Sequence, residues 1–93
     1  MTPVEVTPDD SPLEFPCDFP IKVMGHTADD FDALVVSLVR RHAPDLGEGA
    51  VKTRLSRGGR FMSVTVTIRA VSRSQLDAIY MDLTANERVL MAL

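Results

Sequence analysis

The sequence predicts a single α+β domain with the element order βαββαβ, a four-stranded antiparallel sheet carrying two helices on one face. Three observations predict it. Apolar and polar residues alternate in runs near 19–24, 51–56, 61–70 and 89–93, the period of two that a half-buried strand requires. Two other stretches, beginning at Phe31 and Leu76, repeat apolar residues at i, i+3, i+4 and i+7, which is one stripe of a helix. The chain has 93 residues, enough to bury one core and too few for two.

The amino-terminal residues 1–12 read as an acidic, proline-rich arm, and residues 13–93 as the domain. Prolines at 3, 8, 12 and 16 remove backbone donors and bias the residues before them away from helix. The arm is expected to be disordered or extended, with Leu13, Phe15 and Phe19 laid against the domain as a strap. In the first strand Phe19, Ile21 and Val23 share one side and Lys22 and Met24 the other, and Gly25 is expected to end it. Thr27 then offers an N-cap hydroxyl, while Asp29 and Asp30 place negative charge at the positive end of the helix dipole. The first helix carries Phe31, Leu34, Val35, Leu38, Val39 and His42 on one stripe, and Pro44 bars its continuation.

A second strand is expected with Val51, Thr53 and Leu55 half-buried and Lys52, Arg54 and Ser56 outward. Arg57-Gly58-Gly59-Arg60 supplies glycines for a tight hairpin. The third strand alternates Met62, Val64, Val66, Ile68 and Ala70 against Ser63, Thr65, Thr67 and Arg69. Ser72-Arg73-Ser74-Gln75 reads as a capping box for a second helix with the stripe Leu76, Ile79, Tyr80 and Leu83. That helix is expected to close at Ala85-Asn86, with Asn86 in the left-handed conformation. Val89, Met91 and Leu93 form the inward face of a last strand, leaving Leu90 and Ala92 outward. Two one-striped helices must cover one apolar sheet face, and right-handed crossovers then impose the strand order 4-1-3-2, a ferredoxin-like sandwich.

Charge is divided along the chain more than its net −3 suggests. Residues 1–18 hold five acids and no base, whereas Gly49 to Leu76 holds Lys52, Arg54, Arg57, Arg60, Arg69 and Arg73 and no acid. Exposed ion pairs are worth only about 0–1 kcal/mol each, so masking of this basic stretch by the arm is a minor expectation. No apolar run approaches the roughly 20 residues of a membrane span, and the lone Cys17 fits a reducing compartment, so a cytoplasmic protein without membrane partners is expected.

The segments LEFP and CDFPIKVMG, then VRRHAP, the SRGGRFMSV hairpin and the ending VLMAL occur in an order that resembles the YbeD-like family of small bacterial proteins of unknown function. The resemblance covers nearly everything after Leu13. It implies an ACT-like, ferredoxin-like fold and no known activity, with a loose link to lipoate metabolism through gene neighbourhood. The long acidic arm departs from short family members.

Candidate chemistry is sparse. His26 and His42 lie at opposite ends of the first helix, more than about 20 Å apart at 1.5 Å per residue, so they share no metal. Cys17 is the one strong nucleophile, and its neighbours Pro16 and Asp18 offer nothing to activate it. No glycine-rich phosphate loop occurs. No enzyme, cofactor or metal is therefore expected.

Three binding readings remain. The uncovered sheet face displays Lys22, Met24, Lys52, Arg54, Phe61, Ser63, Thr65, Thr67 and Arg69, with an apolar strip of Met24, Leu90 and Ala92 suited to a homodimer or a partner protein. The basic part of that face comprises Lys52, Arg54, Arg57, Arg60 and Arg69. Nucleic acid is disfavoured, because Phe61 is the only aromatic on the central strands of that face. The ACT-like comparison implies a small carboxylate or amino acid at Met24, Gly25, His26 and Thr27, where glycine lets a ligand approach the backbone. The expected function is a non-enzymatic regulatory or protein-interaction module, with ligand sensing as the alternative.

Overall fold

The computed structural model describes residues 14–93, so the expected arm and the strap residue Leu13 lie outside the described residues. The elements are β1 (Cys17–His26), α1 (Phe31–Arg40), β2 (Val51–Leu55), β3 (Phe61–Ala70), α2 (Arg73–Ala85) and β4 (Val89–Ala92), with one 3-10 turn at Glu48–Ala50. The sheet is antiparallel in the order β2-β3-β1-β4, as expected from the crossover argument.

The core lies between the sheet and the two helices. Ile21, Val23, Met62, Val64, Val66, Ile68 and Ala70 face Phe31, Val35, Leu38 and Val39 of α1 and Leu76, Ile79 and Leu83 of α2. The alternation of β3 is followed residue by residue, and Cys17 and Phe19 of β1 pack half-buried on the same cluster. Gly58 and Gly59 adopt φ of 85° and 75° in the β2–β3 hairpin, the region in which only glycine is unstrained.

Four local expectations are corrected. β1 runs through Gly25 to His26, because pairing with β3 continues to His26↔Phe61. Helix α1 is flanked by Asp30 without a side-chain cap, and the Thr27 hydroxyl instead donates to the Gly59 carbonyl at 2.7 Å. Strand β2 is far less buried than its alternation suggests: only Val51 is half-covered and Leu55 is 55% exposed, since α1 flanks this edge at Val51 and no helix among the described residues reaches over Thr53 and Leu55. Asn86 is extended, with φ −88° and ψ 126°, and its side-chain oxygen accepts from the Arg88 N–H at 3.0 Å.

The start of α2 keeps half of the capping box. The Ser72 hydroxyl accepts from the Gln75 N–H at 3.1 Å. The Gln75 side chain takes the Val71 N–H at 2.8 Å rather than that of Ser72, and its amide donates to the His42 carbonyl at 2.8 Å. One side chain thus ties the α2 start to the turn after α1.

Candidate functional site

The face of the sheet that no helix covers is organised in rows set by strand register. One row reads Arg54, Ser63, Met24, Met91 across β2, β3, β1 and β4. The next reads Lys52, Thr65, Lys22 and Leu93, the last two exchanging backbone hydrogen bonds at 3.0 and 2.8 Å. The face is therefore basic at β2, lined by hydroxyls on β3, mixed on β1 with Lys22 and Met24, and apolar at β4. At one end His26 packs against Phe61 with ring centroids 5.1 Å apart. A shallow concavity of about 180 Å³ opens beside Phe61, bordered by Lys22, Met24 and Arg54.

The apolar strip is displaced from where alternation puts it. Met24 pairs with Met91 but Gly25 pairs with Val89, so one step along β1 is matched by two along β4 and Leu90 has no partner. This is a β-bulge, which reverses the alternation beyond it. Ala92 consequently pairs with buried Val23 and packs on the core, and its expected place on the strip is taken by Met91 and Leu93, 48% and 64% exposed. Leu90 stays exposed at the bulge. The only sequence signal for the bulge is a glycine inside a strand pattern.

The four residues expected to hold a ligand do not form a cradle. A Cβ on Gly25 would lie 2.5 Å from two Phe31 ring carbons and 2.7 Å from the Arg88 carbonyl oxygen, so the space that glycine frees is filled by the protein itself. Thr27 is bonded to Gly59, His26 faces Phe61 and Met24 belongs to the open face. The helix start is also occupied. Arg88 grips the Asp30 carboxylate through both terminal guanidinium nitrogens, Nη2 at 2.7 Å and Nη1 at 3.1 Å, and lies 5.9 Å over the Phe31 ring. Those hydrogen bonds, then the charge of Arg88, hold the Asp30 carboxyl below the ordinary carboxylate range and raise the Arg88 guanidinium.

The remaining candidates are engaged in structure or isolated. His42 meets Asp82 of α2 at 2.7 Å, with Arg41 at 3.8 Å from the same oxygen, a link across the helix pair that the sequence pattern does not announce. Cys17 sits half-buried on the core side of the β1 start, paired with Ala70. Arg69 of the basic set is joined to Asp18 at 3.4 Å, whereas Lys52 and Arg54 have no ion-pair partner among the described residues. Burial pushes the Tyr80 hydroxyl's pKa up. Among the described residues no three His, Cys, Asp or Glu side chains are grouped to hold a metal ion, and no helix is long and apolar enough to cross a membrane.

Residues 10–93 match a family model described as "Protein of unknown function (DUF493)". The chain belongs to the DUF493 family. Relatives at about half identity span nearly its whole length. A UPF0250 protein of Chromobacterium violaceum is 52% identical over 81 residues, covering 87% of this chain and 91% of the relative. One from Ectopseudomonas mendocina is 47% identical over 94 residues and covers both chains completely. The resemblance to YbeD-like proteins of unknown function is thereby shown. The fold of this DUF493 chain is shared with the solution structure of HP0495 from H. pylori, with a TM-score of 0.69 at 16% identity, covering 100% of this chain and 98% of the other.

Proposed function

We propose that this chain is a non-enzymatic interaction domain that binds a partner protein through the open face of its sheet. The observation that carries the reading is the uneven face: Met91 and Leu93 are exposed together at the β4 edge with half-buried Met24 and exposed Lys22 of β1 beside them, and Lys52 and Arg54 stand across the face on β2. Apolar side chains in such a patch supply the desolvation that drives association, and the adaptable thioethers of methionine suit a protein surface. The neighbouring cations orient the partner by charge. Of the groups on which a catalytic or ligand-sensing reading would draw, Thr27 is bonded to Gly59, His26 packs on Phe61, Gly25 lies against Phe31 and His42 is bonded to Asp82. A domain of this kind regulates by changing what its partner meets, in the cytoplasm that its single thiol suits.

Site-specific photo-crosslinking in cells tests the reading. A benzophenone side chain replacing Met91 is expected to give a discrete heavier adduct, reduced by Met24→Glu. The same group replacing Met81, 69% exposed on α2, is expected to give none. An adduct of twice the chain's mass would make the partner a second copy and overturn the choice of a different protein. Equal labelling from both positions would overturn the face itself.

A further inference from the structure

Among the described residues the sheet ends in two unpaired edges, and these differ. β4 is four residues long and bulged, the usual means by which an edge is kept from pairing. β2 is a regular five-residue strand at the other edge. The Ser56 backbone N–H donates to the Phe61 carbonyl at 2.8 Å, so by alternation Arg54 and Lys52 exchange their backbone bonds with Ser63 and Thr65 of β3. The N–H and C=O groups of Val51, Thr53 and Leu55 therefore point away from the sheet. Their side chains face the helix side, where Val51 borders an open groove of about 270 Å³ with Ala33 and Val36 of α1, flanked by the charged Asp32 and Arg40, and Leu55 is exposed. Lys52 and Arg54 stand on the opposite face.

We propose that β2 is a docking edge for an acidic extended segment of a partner protein, which joins the sheet as a fifth strand. Backbone pairing to Val51, Thr53 and Leu55 supplies the attachment, and side-chain alternation supplies the selectivity. Residues opposite Lys52 and Arg54 are carboxylates, close to the cations because these are the narrow, non-hydrogen-bonded pairs. Residues between them are apolar and enter the groove beside Val51, Ala33 and Val36. A second copy is disfavoured as occupant: antiparallel self-pairing about Thr53 would set Lys52 of each chain against Arg54 of the other, like charges directly opposed. The edge lies across the sheet from Met91, and although both proposals use Lys52 and Arg54, only this one needs the β2 backbone, which N-methylation of a peptide tests without touching the charges.

The test uses the full chain and a capped nine-residue peptide of alternating Val and Glu. Amide exchange followed by NMR is expected to show Thr53 and Leu55 unprotected in the free chain and slowed by roughly tenfold or more at saturating peptide. N-methylation of the peptide's Val amides leaves charge and composition intact and is expected to weaken binding by about tenfold or more. Because Lys52 and Arg54 are exposed, Lys52→Glu with Arg54→Glu keeps the fold and is expected to switch preference to a Val–Lys peptide. Equal affinity for the N-methylated peptide, or an unchanged preference in the double variant, would overturn strand addition. Protection of Thr53 and Leu55 in the free chain would also overturn it, by showing the edge already taken by a second copy or by the chain's own acidic residues.

Discussion

Alanine at position 25 would bring a methyl carbon to 2.5 Å from two ring carbons of Phe31 and 2.7 Å from the Arg88 carbonyl oxygen. Carbon atoms pack comfortably at about 3.5–4 Å, so each contact is short by roughly 1 Å. The Phe31 ring is fully buried and the Arg88 oxygen belongs to the backbone, so neither retreats cheaply. Overpacking of this kind costs about 1–3 kcal/mol, and two rigid neighbours place Gly25→Ala toward the upper end. Gly25 does not have positive φ, so alanine recovers about 0.5–1 kcal/mol by narrowing the unfolded ensemble. The contact term wins, leaving a net loss of about 2 kcal/mol. For a domain of this size that lowers Tm by roughly 8–16 °C. Urea and thermal unfolding followed by circular dichroism measure it, and Phe31→Ala in the Gly25→Ala background should cost less than its usual ~3–5 kcal/mol. An unchanged or raised Tm for Gly25→Ala would refute the assignment of that glycine to packing and return the position to the ligand reading.

Other expectations are simpler. Ser72→Ala removes the acceptor for the Gln75 N–H and should cost about 1 kcal/mol, while Ser72→Gly costs a few tenths, both read from unfolding midpoints. Gly58→Ala and Gly59→Ala each force a Cβ into positive φ and should cost about 1–2 kcal/mol by the same measurement, although neither methyl would touch a neighbour. Arg88→Gln should let the Asp30 carboxyl titrate at a higher pH, seen in its carbon chemical shift. Because the folded carboxyl is depressed, the stabilisation from this pair is present above the ordinary carboxylate range and fades as pH falls through the folded value. The stability difference between the wild type and Arg88→Gln should therefore shrink in acid. A difference independent of pH would contradict the pairing.

Strand order, helix stripes and the buried face of β3 were legible because they follow from periodicity, which burial enforces residue by residue. The expectation for β2 went astray because alternation reports what a strand could bury, and no helix reaches Thr53 and Leu55. The Met24, Leu90 and Ala92 strip failed at one residue for a different reason. A bulge inserts a single position into the pairing, and its effect appears only once β1 and β4 are aligned. Gly25 signals a close approach to the backbone, and the group that approaches is Phe31. The pairs His42–Asp82 and Arg88–Asp30 join residues 40 and 58 positions apart, beyond the reach of any local pattern.

Methionine methyl groups give the most direct test of the open face, because the described methionines sample three environments. Met24 and Met91 lie on it, Met62 is in the core and Met81 is on the outer side of α2. The chain labelled with carbon-13 at these methyls is added to unlabelled extract of its own cells and followed by NMR. If the sheet face binds a partner, the Met24 and Met91 signals shift or broaden while Met81 stays sharp. A spectrum in which Met81 changes and Met24 and Met91 do not would contradict it.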